Sequence, residues 1–359
     1  MEMLTEYTHH ADAWRAEDLL KLLYQRYLGC GHFAPTEEQA RARLLKEWAE
    51  TPASDALPLV DDIGGGYARL HLAAAKAAGL HPESILKVFL ASAKASDEAT
   101  RLALRDTARS MNPTDYGVSV QDWHACLTRW EADGMPAVSH SEAYRKAYHP
   151  SYRVIESRYA RWIPVLDYVE KRLLEKTPLT LAIEGRSGAG KSQLADRLVE
   201  LYGASAAHMD DFFLPAERKT RMRLAQPGGN VDIERFASEV LIPLSKGKDI
   251  AYHPFSCRTD KLSPETVLFP QAPLRIVEGS YSLHPAGCFP YDVKIFLTIP
   301  GDVQRARILR RNGETMLRRF EQEWIPLEEK YFQAFDIPSH ADVCFNSESG
   351  QFVSSGQDL

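Results

Sequence analysis

The chain has 359 residues, of which 44% are hydrophobic and 26% are charged, and it contains 21 glycines and 21 prolines. This length is enough for about two domains of ~150 residues each, and the composition excludes a collagen-like or largely disordered chain. The 43 Lys and Arg residues are outnumbered by 49 Asp and Glu residues, which gives a formal net charge of −6. Because nucleic-acid-binding domains usually carry a basic excess, we expect a globular two-domain protein that does not bind nucleic acid.

The cysteines and the opening segment indicate the compartment. The 5 cysteines are scattered and form no C-x-x-C pair: Cys30, Cys126, Cys257, Cys288 and Cys344. This pattern favours reduced thiols over a disulfide framework or a zinc site. The segment MEMLTEYTHHADAW lacks the basic flank and apolar core of a secretory signal, and no stretch reaches the ~18 apolar residues that a membrane span requires. We expect a cytoplasmic protein with no membrane partner.

The chain up to residue 155 has helical signals and no clear run of strands. Apolar residues recur at three- and four-residue spacing in WRAEDLLKLLYQRYL, and Thr36–Gln39 has the pattern of a capping box. His81-Pro82 opens a third helix, since proline is tolerated at the first helical position. Two more helices are predicted to begin near Ser96 and Ser119. We expect residues 1–155 to form an all-α domain, with a role either in the acceptor site or in regulation.

The pattern changes after Pro164, which begins a predicted helix. Short apolar runs then alternate with helical stretches: 179–183, 274–277, 293–297 and 341–344. This alternation is typical of a mostly parallel sheet with helices on its faces. We therefore expect an α/β domain over residues 156–359, with a frayed polar tail over 347–359.

A phosphate loop follows the first of these apolar runs. The segment Gly185-Arg186-Ser187-Gly188-Ala189-Gly190-Lys191-Ser192 matches the Walker A pattern G-x-x-x-x-G-K-[ST] and leads through Gln193 into a helical stretch. Glycines allow the backbone N–H groups to surround phosphates, and the helix N-terminus adds positive potential. The motif predicts that Lys191 binds the β- and γ-phosphates and that Ser192 offers its hydroxyl to Mg²⁺. The alternative is a glycine-rich turn without function.

Two carboxylates follow other apolar runs. Asp210 stands in Met209-Asp210-Asp211-Phe212-Phe213, where it could accept the proton of a hydroxyl that attacks the γ-phosphate. Glu278 ends the run 275–278, where it could hold Mg²⁺ together with Ser192. A solvated acidic loop is the alternative for the first of these.

Four arginines stand on a predicted helix that begins near Asp302: Arg305, Arg307, Arg310 and Arg311. Of these, Arg307 and Arg310 are our candidates for stabilising charge on the transferred phosphoryl group, in the manner of a lid. A solvated arginine-rich helix face is the alternative.

These motifs, in this order, make residues 178–346 resemble the uridine kinase and phosphoribulokinase group of P-loop small-molecule kinases. The resemblance depends on the phosphate loop, on Asp210-x-Phe212, on Val277-Glu278-Gly279 and on the arginine-bearing segment before Trp324. It implies ATP and Mg²⁺ as cofactors and Asp210 as general base. It also implies that Asp232 and Phe212 belong to the substrate side.

One segment departs from the uridine kinases. Their Tyr-Asp-Phe element and its following His are replaced by Tyr252-His-Pro-Phe255-Ser-Cys-Arg258. Arg258 could therefore meet an anionic group of the substrate, or it could lie on the surface. The acceptor is consequently an alcohol on a small molecule, and not necessarily a nucleoside.

Two polar segments of the N-terminal half carry no motif for a known reaction. The first comprises Gly29-Cys-Gly-His32 and Asp61–Arg69, whose glycines either end helices and turn the chain or support a polar pocket of His32, Arg69 and His71. The second is 139–153, in which His140 and Tyr144 are candidate substrate contacts at an inter-domain cleft. Its alternative is an amphipathic linker whose tyrosines pack on the second domain.

The sequence thus predicts a cytoplasmic, ATP- and Mg²⁺-dependent kinase that phosphorylates a hydroxyl group of a small metabolite, either as a monomer or as a homodimer. The alternative is a regulatory P-loop ATPase whose N-terminal helical domain binds a partner. The absence of an N-K-x-D element disfavours a guanine-nucleotide switch.

Overall fold

The structure is a computed structural model that describes residues 13–30, 36–93, 97–256, 258–287 and 291–354. The chain forms two compact units, Met1–Ala160 and Arg161–Leu359. The division was predicted after residue 155, and the short helix Ser157–Ala160 belongs to the first unit.

The first unit contains eight α-helices among its described residues, and the five helices predicted from the sequence are confirmed. Thr36 caps the second of them by accepting a hydrogen bond from the N–H of Gln39 at 3.2 Å. The helices are α1 (Ala16–Leu28), α2 (Glu37–Glu50), α3 (Leu72–Ala77), α4 (Pro82–Ser92), α5 (Glu98–Ser110), α6 (Val120–Ala132), α7 (Glu142–Tyr148) and α8 (Ser157–Ala160).

The prediction of an all-α first domain is wrong, because this unit also contains a three-stranded antiparallel sheet. Its strands β1 (Val60–Gly64), β2 (Tyr67–His71) and β3 (Tyr152–Glu156) lie in the order β1-β2-β3. Asp61, Asp62 and Arg69 interrupt the apolar alternation by which half-buried strands are recognised. The glycines of 64–66 turn the chain between β1 and β2, whereas Gly29 ends α1. His32 lies outside the described residues.

The segment 139–153 is part of the first unit and not a linker. It forms α7 and the start of β3. Tyr144 is completely buried and stacks on His140, with 4.0 Å between the ring centroids. The ring of Tyr144 therefore packs on another residue of the same segment.

The second unit is an α/β domain, as predicted. The predicted helix from Pro164 is α9 (Ile163–Glu175). The other helices are α10 (Lys191–Tyr202), α11 (Arg221–Leu224), α12 (Ile233–Phe236), α13 (Ile242–Ser245), α14 (Gly301–Arg319) and α15 (Ile325–Phe335), and π-helical turns span Ala237–Leu241 and Phe320–Trp324. The strands are β4 (Leu179–Gly185), β5 (Ser205–His208), β6 (Ile250–Tyr252), β7 (Phe255–Ser256), β8 (Lys261–Leu262), β9 (Val267–Phe269), β10 (Leu274–Glu278), β11 (Val293–Thr298), β12 (Val343–Asn346) and β13 (Gln351–Val353).

The central sheet has six strands in the order β13-β12-β11-β4-β10-β5. All neighbouring pairs are parallel except β12 and β13. The antiparallel β13 corrects the expectation of a frayed tail, since residues 351–353 pair with the edge of the sheet. Strand β4 is central and completely buried over Leu181–Ile183. The loops that follow β4, β10 and β5 consequently meet at one edge of the sheet.

Within the described residues, no helix is long and apolar enough to cross a membrane. Cys30, Cys126 and Cys344 are buried and free, whereas Cys257 and Cys288 lie outside the described residues.

Candidate active site

The phosphate loop lies where the sequence predicted, between β4 and α10. Three of its glycines adopt positive φ angles: +141° at Gly185, +78° at Gly188 and +93° at Gly190. At the first of these, an added Cβ would lie 2.1 Å from the carbonyl oxygen of Leu297 in the neighbouring strand β11. Glycine is required there both for the backbone angle and for the close approach of β11.

Lys191 begins α10 and turns back over the loop. Its ammonium group donates hydrogen bonds to the carbonyl oxygens of Gly185 at 2.7 Å and Arg186 at 3.1 Å. It also lies 3.1 Å from the hydroxyl oxygen of Ser280. These contacts hold the positive charge of the ammonium group at the base of the loop, where it can attract phosphate oxygens.

Ser192 and Glu278 are brought together, as expected of a metal site. The hydroxyl of Ser192 donates to Oε1 of Glu278 at 3.1 Å. In the parallel register, Glu278 at the end of β10 lies beside Ile183 on one side and His208 on the other. A carboxylate and a hydroxyl at the edge of a phosphate loop are suitable donors for Mg²⁺, which also binds substrate phosphates.

The donor set therefore fits Mg²⁺ in its chemistry. Ser192 is exposed and Glu278 is only 5% exposed, so a hydroxyl and a shielded carboxylate would be available together. Among the described residues, no group of three or more His, Cys, Asp and Glu side chains is arranged to hold a metal by itself. An ion here would thus depend on phosphate oxygens for its remaining ligands.

The glycine of Val277-Glu278-Gly279 brings Asp210 to the same edge. Gly279 has a φ of +130°, and an added Cβ would lie 2.7 Å from the Cβ of Met209. The chain after β10 therefore packs directly against the residue that precedes Asp210. A larger residue at position 279 would separate the two carboxylate-bearing segments.

Asp210 lies in a short 3₁₀ turn, Met209–Phe212, directly after β5. The residue is exposed, yet the protein atoms around its carboxyl withdraw it in part from water and raise its pKa, while the nearby Lys191 ammonium opposes the shift. The charges of Glu278 and Asp211 raise the same pKa further. An accessible carboxylate beside the phosphate loop is thus tuned towards proton exchange.

Asp211, the neighbouring carboxylate, has a different environment. It accepts a hydrogen bond from the hydroxyl of Tyr252 at 2.8 Å. Burial raises the pKa of Asp211, and the hydrogen bond from Tyr252 opposes that shift. Asp211 is therefore engaged with the protein, whereas Asp210 is exposed.

Three further residues of the site were not found from the sequence. His208 holds Glu278 through a contact of 2.6 Å between Nδ1 and Oε1, and this hydrogen bond raises the pKa of His208. Glu328 accepts hydrogen bonds from the N–H of Ser187 at 3.0 Å and from its hydroxyl at 2.6 Å. Glu184 is completely buried at the end of β4, and burial raises the pKa of its carboxyl to about 7.

Glu184 stabilises the first peptide of the loop. It accepts hydrogen bonds from the N–H groups of Gly185 at 2.9 Å, Tyr281 at 3.1 Å and Leu283 at 3.2 Å. The hydroxyl of Tyr331 donates to the same carboxylate at 3.2 Å. The side chain therefore connects β4, the segment after β10 and helix α15.

The two candidate lid arginines lie in different environments on α14. Arg307 donates to the carbonyl oxygen of Gly188 at 3.3 Å and to the hydroxyl of Ser347 at 3.2 Å, and it pairs with Glu348. Arg310 is exposed. Gly313 interrupts the helix with a φ of +78°. The structure thus brings Arg307 to the phosphate loop, while Arg310 faces solvent.

The candidate substrate residues of this unit are dispersed. Phe212 is completely buried between Phe236 and Tyr252, so it supports the turn that carries Asp210 and cannot contact a substrate, which corrects the expectation. Asp232 is 4% exposed, caps α12 through the N–H of Arg235 and pairs with Arg218.

The remaining three candidates lie elsewhere. Arg258 is exposed in the turn between β7 and β8. His140 and Tyr144 belong to the first unit, and complete burial excludes a direct substrate contact by Tyr144, contrary to expectation.

Comparison with known proteins gives structural matches only. No protein-family model matches the chain, and no curated protein matches it by sequence. A solved structure described as a possible uridine kinase from Bacillus stearothermophilus is 21% identical, covering 50% of this chain and 96% of its own with a TM-score of 0.39. D-glycerate 3-kinase from Cryptococcus neoformans var. grubii is 15% identical, covering 52% and 95% of the two chains with a TM-score of 0.36. At these values the likeness concerns the fold alone.

The second unit is an α/β P-loop domain, since a phosphate loop follows the central strand of a mostly parallel sheet. The predicted fold class of this half is confirmed. Structures described as a possible uridine kinase and a D-glycerate 3-kinase are among those that it resembles in fold.

Proposed function

We propose that the second unit is an ATP-dependent kinase that phosphorylates a hydroxyl group of a small molecule. The observation that carries the proposal is the position of Asp210. Its exposed carboxylate follows β5 at the sheet edge that also carries the phosphate loop, and its pKa responds to the charges of Lys191 and Glu278. A phosphate site and an accessible proton acceptor together are what phosphoryl transfer to an alcohol requires.

In this mechanism, the loop amides and Lys191 bind the phosphates of ATP. Ser192 and Glu278 would hold Mg²⁺, which supplies neutralisation of phosphate charge when bound. Asp210 orients the acceptor hydroxyl and takes its proton as the hydroxyl oxygen forms a bond to the γ-phosphorus. The bond from that phosphorus to the β–γ bridging oxygen breaks, and ADP leaves.

Arg307 fits a supporting role. Its contacts with Gly188 and Ser347 connect the phosphate loop to the segment after β12. We therefore assign Arg307 the role of maintaining the shape of the nucleotide site.

The test is ADP release from Mg-ATP by the full-length protein across a panel of acceptors: uridine, cytidine, other ribosides, D-glycerate, pantothenate, sugars and polyols. We expect one acceptor to stimulate ADP release. Asp210→Asn is expected to lower the stimulated kcat by about 10²- to 10⁴-fold, since general base catalysis contributes about that much.

Asp211→Asn is the matched control, because the neighbouring carboxylate is engaged with Tyr252. It should retain most of the stimulated rate. Steady hydrolysis that no acceptor stimulates, and that Asp210→Asn leaves unchanged, would refute the proposal and favour the regulatory ATPase.

A further inference from the structure

The first unit contains a second candidate site, in a cavity of about 230 Å³. Every residue that lines it belongs to the first unit, so it is separate from the phosphate loop. A site of this volume has room for several waters or a small metabolite.

The charge of the cavity wall is strongly positive. One carboxylate, that of Glu47, lines the cavity. Four cationic side chains line it as well: Lys21, Arg43, Arg145 and Arg153. His140 also lines the cavity, but burial lowers the pKa of its imidazole to about 4, so the ring adds no charge near pH 7. The wall therefore has several cations in excess over its one carboxylate.

Arg153 provides the most direct sign of a ligand. Its side chain is 9% exposed, and its Nη1 donates to Oε2 of Glu47 at 2.6 Å. Its Nη2 is buried and has no hydrogen-bond partner among the described residues. A buried guanidinium N–H without an acceptor has lost its hydrogen bonds to water and gained none in return, so an acceptor supplied by a ligand would remove a real penalty.

Lys21 is a second buried cation on the same wall. It is 6% exposed, and its ammonium donates to the carbonyl oxygen of Val138 at 2.8 Å. Burial, together with the charges of Arg69 and Arg43, lowers the pKa of Lys21 to about 8. The ammonium is therefore still mostly protonated at pH 7, and an anion beside it would relieve the repulsion among these cations.

The opposite part of the wall is preorganised by hydrogen bonds. His140 Nδ1 lies 3.0 Å from Asp18 Oδ1, and His140 Nε2 lies 2.5 Å from the hydroxyl of Tyr152. The amide of Gln25 donates to the same hydroxyl at 3.0 Å and accepts from Arg69 at 2.9 Å. These groups satisfy one another, which leaves Nη2 of Arg153 as the buried cationic group of the wall that lacks a hydrogen-bond acceptor among the described residues.

We infer that this cavity binds a small doubly charged anion of the phosphate-ester class, held by Arg153, Arg43 and Arg145. Guanidinium groups suit this ligand because their planar N–H forks match phosphate oxygens. The inference concerns a site in the first unit and does not depend on the proposed kinase reaction.

The test uses inorganic phosphate as the probe and calorimetric titration of the full-length protein at constant ionic strength. Lys191→Ala is introduced throughout, which removes the main cation of the phosphate loop. We expect saturable binding of phosphate in this background. Arg43→Gln and Arg145→Gln should each weaken it by roughly 10- to 100-fold, the value of one charge-assisted hydrogen bond.

Arg41→Gln is the matched control, since Arg41 stands on the same helix as Arg43 but pairs with Glu37 and Glu83 outside the cavity lining. It should leave phosphate binding unchanged. These variants avoid Arg153, whose loss would leave Glu47 without its buried partner. Arg43→Gln also removes an ion pair with Glu47 at 3.0 Å, but Glu47 then keeps its pair with Arg153, and Arg145→Gln leaves both pairs in place. The inference is overturned if the Lys191→Ala background shows no saturable binding of phosphate, or if Arg43→Gln and Arg145→Gln bind phosphate as tightly as that background does.

Discussion

The carboxylate of Glu328 binds the backbone N–H of Ser187, 3.0 Å away, in the middle of the phosphate loop. In a phosphate loop such N–H groups point towards phosphate oxygens. Glu328 thus places a negative charge, only 5% exposed, beside the position that an anionic ligand would take. The nucleotide must either displace this carboxylate or be bound against its repulsion.

We therefore predict that Glu328→Gln tightens nucleotide binding. A charge about 6 Å from a phosphate, in a medium of effective dielectric constant near 40, contributes about 1.4 kcal/mol, or roughly tenfold in Kd. The measurement is titration of ATP into each protein in the absence of an acceptor. Glu329→Gln is the control, since Glu329 follows Glu328 in the chain but pairs with Arg186 and not with the N–H of Ser187. Weaker ATP binding by Glu328→Gln, that is a higher Kd, would mean that this carboxylate mainly stabilises the conformation of the phosphate loop.

The pH dependence of the proposed reaction should report Asp210. Its pKa lies above the ordinary value near ~4, because burial and the charges of Glu278 and Asp211 outweigh Lys191. A general base must be deprotonated, so kcat/KM should fall as the pH decreases through this raised pKa. Asp211→Asn removes one of the neighbouring charges, and the acid limb should then move to lower pH. An unchanged limb in this variant would assign the limb to another group.

The requirement for Mg²⁺ should depend on Glu278. Replacement by Gln removes the carboxylate charge but keeps a group that can still meet Ser192 and His208. We expect the free Mg²⁺ concentration for half-maximal rate to rise by about 10- to 100-fold. Initial rates across a Mg²⁺ series at saturating ATP measure this value. Asp196→Asn, an exposed change on the helix that carries Ser192, is the control and should have no effect.

The first unit should lose stability in mild acid. Burial lowers the pKa of both His71 and His140 to about 4. The unfolded chain binds protons at these histidines below pH ~6.5, whereas the folded chain binds them only near pH 4. Their contribution to stability is therefore complete above pH ~6.5 and is lost as the pH falls towards 4.

Nuclear magnetic resonance titration of the histidine rings tests this directly, with signals assigned through His71→Gln and His140→Gln. Urea unfolding at pH 7 and pH 5 should show a lower free energy of unfolding at pH 5. Ring pKa values near 6.5 would contradict the prediction.

The fold of the second unit was predictable because its strands are buried on both faces. Leu179–Gly185 and Val293–Thr298 are nearly continuous apolar runs, which local sequence displays directly. The sheet of the first unit was missed because Val60–Gly64 and Tyr67–His71 contain charged residues. One of these, Arg69, is completely buried, and its guanidinium donates a hydrogen bond to the side chain of Gln25, which is distant in sequence. Apolar periodicity in a sequence predicts the burial of apolar side chains. It does not predict the burial of charged side chains that hydrogen bonds and ion pairs stabilise.

The candidate site divides in the same way. The phosphate loop is a local motif, and its spacing requires only the backbone near it. Glu328 reaches Ser187 across 141 positions of the chain, and His208 reaches Glu278 across 70. Contacts between residues so far apart in the sequence depend on strand order and helix placement, so no local sequence pattern predicts them. Phe212 shows the opposite error, since a residue next to a functional carboxylate was taken for a contact when it is part of the core.

The glycine at the start of the phosphate loop has a consequence for motion. Gly185 lies so close to the carbonyl of Leu297 that no side chain fits, and its N–H is held by Glu184. This end of the loop is therefore fastened to the central sheet. Any adjustment of the loop therefore has to leave Gly185 in place, whereas Ser187 can shift only if it exchanges its hydrogen bonds with Glu328 and Gln304 for others.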